Sequence, residues 1–260
     1  MRLAARLLLF LLALTGTLAQ AAENPQIAKR RAAERKTFTD AEIFKGFFAT
    51  AFGAEMRIAG RVDGIRKYEK PVRVYVDNHV QPDRSAQITE IVGDIKSKIE
   101  HLDIAMAGDR KEANVVVRLL AERAFYPALR TAYGRDRLRS IQKSLDPQCL
   151  SGFAKDAELR IVHSDVFLVA DRDDFTFRDC AYEELLQSLG PINDTSKVPW
   201  TMFNDAVQMG FFDIYDQYIL NILYHPRVRP GMTRSQVRAL LPAIIPHVRA
   251  FVAKTNNLPQ

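Results

Sequence analysis

The chain has 260 residues, 47% hydrophobic and 26% charged, enough apolar material for one large core. That balance excludes a mainly disordered chain, a collagen-like one and a protein built of many membrane spans. A formal charge of +6 is a mild basic bias rather than the footprint of a nucleic-acid binder, and two cysteines are too few for a four-cysteine zinc site.

The first element reads as a targeting segment. Arg2 and Arg6 precede the apolar run Leu7 to Leu14, and Ala19-Gln20-Ala21 supplies a small-x-small pattern before Ala22. This predicts a cleaved signal peptide over residues 1–21. The run is shorter than the roughly 20 residues a bilayer span needs. No cysteine stands at the cleavage point to take a lipid, and no later segment is apolar enough to span. The expected product is therefore periplasmic or secreted, with no transmembrane segment and no nucleic-acid partner. In an oxidising compartment Cys149 and Cys180 are expected to pair. Their disulfide closes a loop of about 30 residues, worth roughly 3–4 kcal/mol in the chain-entropy picture.

Residues 22–37 are polar and basic and read as a flexible arm or a frayed helix. Thr39 to Glu42 resembles a capping box, and Ile43, Phe44, Phe47 and Phe48 follow at helical spacing up to Gly53. Pro71 to Asp77 alternates with period two and predicts a strand. Ser85 to Leu102 carries Ile88, Ile91, Ile95, Ile99 and Leu102 on one helical face. Ala113 to Leu120 predicts a second strand, and the strand–helix–strand order implies parallel pairing through a right-handed crossover. Residues 122–148 are basic with weak helical character. Leu159 to Val162 and Val166 to Val169 read as a hairpin or as one bulged strand. Helices are expected over Phe177 to Gly190 and Phe212 to Tyr224. A second capping box at Thr233 to Gln236 opens a helix that Pro242 and Pro246 should kink or break. The layout is one α+β domain over residues 38–253, a twisted mixed sheet followed by helices, with a tail at 254–260.

The segment from Cys180 to Asp194 carries the most chemistry. On a helix Glu183 and Gln187 share a face, with Glu184 at its edge. Gly190 lets the chain turn so that Asn193 can fold back toward that face. The spacing Glu183, Glu184, Gln187, Gly190, Asn193 resembles the metzincin peptidase motif H-E-x-x-H-x-x-G-x-x-H. Trp200 to Asp205 resembles the Met-turn region, and Phe211 to Tyr224 resembles the last helix of matrixin-like peptidases. The resemblance implies a metzincin-like (zincin-like) fold with an erased zinc site. Imidazoles are absent from all three ligand positions, and glutamine and asparagine amides are weak zinc ligands. Without zinc nothing activates the water, so Glu184 is a vestigial base, no catalytic residue is expected, and zinc is not expected. Gly190, Asn204, Asp205, Asp216, Tyr224 and Arg227 are read as structural, like the two cysteines. Arg227 and Arg229 are placed to pair with Asp213, Asp216 or the 193–194 turn.

At a finer level the chain resembles the domain-of-unknown-function 2927 family of proteobacterial exported proteins. The matching pieces are Cys180-x-x-Glu183-Glu184-Leu185-x-Gln187, Gly190, Asn193-Asp194, Phe203-Asn204-Asp205, and Leu223-Tyr224 through Arg227 to Met232. The residues then allow several readings. Glu183, Glu184, Gln187, Asn193 and Asp194 form a cleft that binds a peptide or a cell-envelope partner, or they are the wet face of a helix. The oxygen donors also permit a hard cation such as calcium, with help from Asp194, Asn204 or Asp205. The first expectation is a non-catalytic pseudo-peptidase. A divergent metal-dependent peptidase with ligands outside the motif is the enzymatic alternative, and a structural envelope protein is the third. The five histidines, His79, His101, His163, His225 and His247, are all well separated in sequence and read as surface or structural residues.

Overall fold

Val72, Val74 and Val76 alternate with polar neighbours, and this period builds β1 (Val72–Asn78) in the computed structural model of the protein. The structure describes residues 23–53, 63–78, 80–144 and 148–259. The expected signal peptide and His79 lie outside them. From β1 the chain enters α3 (Ser85–Lys98), which follows α1 (Pro25–Ala33) and α2 (Asp40–Thr50) in order, and buries Ile88, Ile91, Val92 and Ile95 against the sheet. It returns through β2 (Ile104–Met106) and β3 (Val115–Leu120), each parallel to β1. The crossover predicted from sequence is present between β1 and β3.

Two helices, α4 (Glu122–Tyr133) and α5 (Arg135–Ser144), then precede β4 (Cys149–Lys155) and β5 (Ile161–Val169). The sheet order is β2-β1-β3-β5-β4, with β5 parallel to β3 and β4 antiparallel to β5. The two apolar runs at 159–169 merge into the single strand β5, and its hairpin partner β4 was not expected. The sequence of β4 has no β-branched residue and carries Gly152, so it lacks the usual strand signature. Along β5, Val166 and Leu168 face the main core, while Phe167 and Val169 face a second core with Phe125, Leu129 and Ile141 of α4 and α5. The sheet is thus covered on both sides at this strand, which explains its nearly unbroken apolar run.

The remaining elements are α6 (Asp174–Gln187), α7 (Ile214–Tyr224) and α8 (Arg234–Thr255). Together these make a single mixed α+β domain with a five-stranded mixed sheet and eight helices among the described residues. Both capping boxes are present, at Thr39 with Glu42 and at Thr233 with Gln236. Of the kink or break expected in α8, the break does not occur. Pro242 and Pro246 both lie on its exposed side, where water can satisfy the carbonyls they leave unpaired, while Leu241, Ile244, Ile245 and Val248 hold the other side in the core. Where the composition suggests a flexible arm or a frayed helix, α1 packs against the domain. Asn24 caps it, Ile27 is buried, and Arg30 and Arg31 lie 4.1 and 4.2 Å from the ring centres of Phe175 and Phe211. Those contacts use the charges that gave the segment its solvated look. No helix among the described residues is long and apolar enough to cross a membrane.

Candidate functional site

Helix α6 is capped by Asp173, whose side chain accepts the Thr176 N–H. Phe175, Phe177, Ala181, Tyr182, Leu185 and Leu186 point into the core. Thr176, Asp179, Cys180, Glu183 and Gln187 recur at three- and four-residue steps and form the opposite stripe. That stripe faces the start of β4 and the segment 194–208 across a cleft of about 280 Å³. The Cys149–Cys180 disulfide, as expected from sequence, bonds the first residue of β4 to the middle of α6 and closes one wall.

The cleft is acidic. Carboxylate oxygens of Glu183, Asp194 and Asp205 all lie within 4.8 Å of one another. Buried Glu184 lines the same space. Burial, and after it the charges of Glu184, Asp194, Asp179 and Asp205, raises the Glu183 carboxyl well above the usual range. Asp179 sits behind it. Its Oδ1 accepts N–H groups from Met209 and Gly210 at 2.7 and 2.9 Å, yet burial still pushes its carboxyl up to about 6. Gln187 donates from Nε2 to Asp194 Oδ1 at 2.6 Å, and its Oε1 receives a long contact of 3.5 Å from the Ser151 hydroxyl.

The turn after α6 departs from the sequence expectation in one respect. Gly190 has φ +140°, and a Cβ there would stand 2.3 Å from the Arg66 carbonyl oxygen, so the close approach needs glycine. The turn delivers Asp194 to the cleft, but Asn193 points the other way. Its side chain donates to the Ala49 carbonyl at 2.7 Å and its N–H to Thr50, so it secures the end of α2. The residues read as structural hold the loops around the cleft. Asn204 is buried, donates to the Val198 carbonyl and accepts the Ala206 N–H, which presents exposed Asp205. Asp216 on α7 accepts the Thr201 hydroxyl at 2.5 Å and the Met202 N–H at 2.7 Å. Burial and the neighbouring Asp216 raise the Asp213 carboxyl strongly, which favours one shared proton between these two acids. Tyr224 donates to the Leu189 carbonyl at 2.9 Å and so pins the end of α6.

Arg227 makes its backbone contact to His225, and among the described residues Asp213 and Asp216 are engaged with Thr201, Met202 and each other rather than with Arg227 or Arg229. Those acids are enclosed with α7, out of reach of a surface turn. Asp179 is the cleft residue that sequence reasoning missed, although its position four residues before Glu183 places it on the same face. A second and larger groove, about 770 Å³, lies on the other side of the 193–194 turn. It is basic and aromatic: Arg234 stacks over Phe52 and Arg238 over Phe48, each at 4.9 Å.

The donor set of the cleft does not suit zinc. No histidine lines the cleft. Its donors are carboxylates and the Gln187 amide, which is engaged with Asp194, while the Asn193 amide is engaged with Ala49 outside it. The remaining chemistry is that of clustered carboxylate oxygens, which attract a hard cation or a cationic side chain. No protein of curated description and no solved structure matches the chain. Over residues 40–243, more than half its length, the chain matches the sequence model of the family described as Protein of unknown function (DUF2927), and it belongs to that family.

Proposed function

We propose that this protein is a non-catalytic, pseudo-peptidase form of a metzincin-like domain, exported to the periplasm or beyond. Its acidic cleft holds a positively charged side chain of a peptide or cell-envelope partner. The observation that carries this reading is the convergence of Glu183, Asp194 and Asp205 within 4.8 Å in a cleft walled by α6 and β4. Three carboxylates at that range resist being ionised together, and a bound ammonium or guanidinium relieves that repulsion. The strand–helix–strand order, with α6 beside the edge strand of the sheet, supports the metzincin likeness. Glu184 stands at the position of the catalytic glutamate in that motif, but no donor set beside it suits a water-activating zinc.

Fluorescence anisotropy with labelled peptides tests the reading. A lysine- or arginine-bearing peptide should bind, an otherwise identical glutamate-bearing one should not, and added salt should weaken binding. Asp205→Asn, an exposed change, should cost about tenfold in affinity, or 1.4 kcal/mol. Equal binding of both peptides, or cationic binding untouched by Asp205→Asn, would count against it. The same three carboxylates also favour calcium as a second reading. A rise in melting temperature with calcium, abolished by Asp205→Asn, would make the ion itself the ligand.

A further inference from the structure

Three of the histidines that look unrelated in sequence meet on the far side of α7. Helix α3 ends at Lys98, and the turn that follows is clamped to α7 by buried Asn221. The Asn221 side chain donates to the Lys98 carbonyl at 2.8 Å and accepts the Glu100 N–H at 3.0 Å. Four residues later α7 ends at its C-cap, His225. On α8, buried Ile244, Ile245 and Val248 fix the helix rotation and leave His247 exposed. The ring centres of His101, His225 and His247 lie 5.8 to 6.0 Å apart pairwise. Glu100 Oε2 lies 3.6 Å from His101 Nε2 and 3.5 Å from His247 Nε2.

We infer that Glu100, His101 and His247 form a zinc-binding site that ties the α3–β2 turn to α8. The two carboxylate–imidazole separations are long for hydrogen bonds. They are close to the edge of a tetrahedron about zinc, which for bonds of about 2.0–2.1 Å is about 3.4 Å. One donor atom from each of the three residues falls within 4.8 Å of the others. Two imidazoles and one carboxylate are a borderline N,N,O set that suits zinc and excludes calcium or magnesium as preferred ions. All three side chains are exposed, so the ion has an open approach and a solvent molecule can complete its shell. His225 has a different role. Its Nδ1 accepts the Arg227 N–H at 3.2 Å, so that nitrogen is already engaged. It packs edge-on against both ligand rings, at 5.9 and 5.8 Å between ring centres, and so is a positioning residue rather than a third imidazole ligand. None of these residues lines the acidic cleft, so ligand binding at the two sites is tested independently.

The test is calorimetric titration of the tag-free chain with zinc chloride, together with the visible spectrum of the cobalt(II) form. One zinc per chain is expected, with cobalt bands of the intensity typical of four-coordination. His101→Ala with His247→Ala should abolish both signals. Glu100→Gln should weaken binding and shift the cobalt bands. His225→Ala should keep the stoichiometry and lower affinity roughly tenfold. Asp205→Asn in the cleft should change nothing here. All the ligands are surface residues, and circular dichroism of each variant checks that it folds. Absence of saturable zinc binding by the native chain would overturn the inference, as would binding unchanged in the double histidine variant. Octahedral cobalt bands alone would also overturn it.

Discussion

Asp179 accepts two backbone N–H groups through one oxygen, and burial still leaves its carboxyl titrating near 6. The folded protein therefore holds this proton more tightly than the unfolded chain does, whose aspartate titrates near 3.8. The contribution of Asp179 to stability is greatest below pH 4, declines as pH rises toward 6, and stays at the lower level above it. Asp179→Asn keeps the Oδ1 acceptor for Met209 and Gly210 and removes that decline. Urea unfolding from pH 4 to 7.5 should show a flatter profile for the variant, which at pH 7 should be the more stable by about 1–2 kcal/mol. Parallel profiles would mean that the burial of this carboxyl costs the fold nothing. At this scale the sequence was informative about Glu183, Glu184, Gln187 and Asp194, because helical spacing alone places the first three. It was not informative about Asn193, whose direction depends on the Ala49 and Thr50 carbonyls of a helix about 140 residues earlier.

Elements with local signals were legible. The two capping boxes, the alternation of β1 and the isoleucine stripe of α3 each follow from residues within one element. The edge strand β4 was not, because its stability comes from across the sheet and from the disulfide. Two experiments address it. In Cys149→Ser with Cys180→Ser the strand loses its covalent tie to α6. Stability should fall by about 2–4 kcal/mol and cationic-peptide binding should weaken with it, both read by denaturant titration and anisotropy. Gly152 is the second handle. A Cβ there would meet the Tyr133 hydroxyl oxygen at 2.7 Å, and that buried hydroxyl makes no hydrogen bond among the described residues. Gly152→Ala should cost about 1–3 kcal/mol. Adding Tyr133→Phe removes the clashing atom and should recover most of the loss. A double-mutant cycle showing simple additivity would locate the strain elsewhere.

At the scale of the molecule the fold class followed from the order of elements, while the meeting of distant surfaces did not. Glu100, His101, His225 and His247 span nearly 150 residues, and no periodicity links them. The opposed charges on either side of the 193–194 turn likewise arise only once α2, α6 and α8 are packed. What joins these regions is α7, buried along all eleven of its residues. Its polar side chains each hold a different strand of the chain: Asp216 the 201–202 loop, Gln217 the residue after α8, Asn221 the turn at Lys98 to Glu100, and Tyr224 the end of α6. Such a helix has no solvent side from which to fray, so its amides can exchange with water only when the whole domain opens. The loops of the cleft and the turn beside the histidines all hang from this one axle. Wear at one of them is therefore shared along the shaft, and the two surfaces keep or lose their shape together.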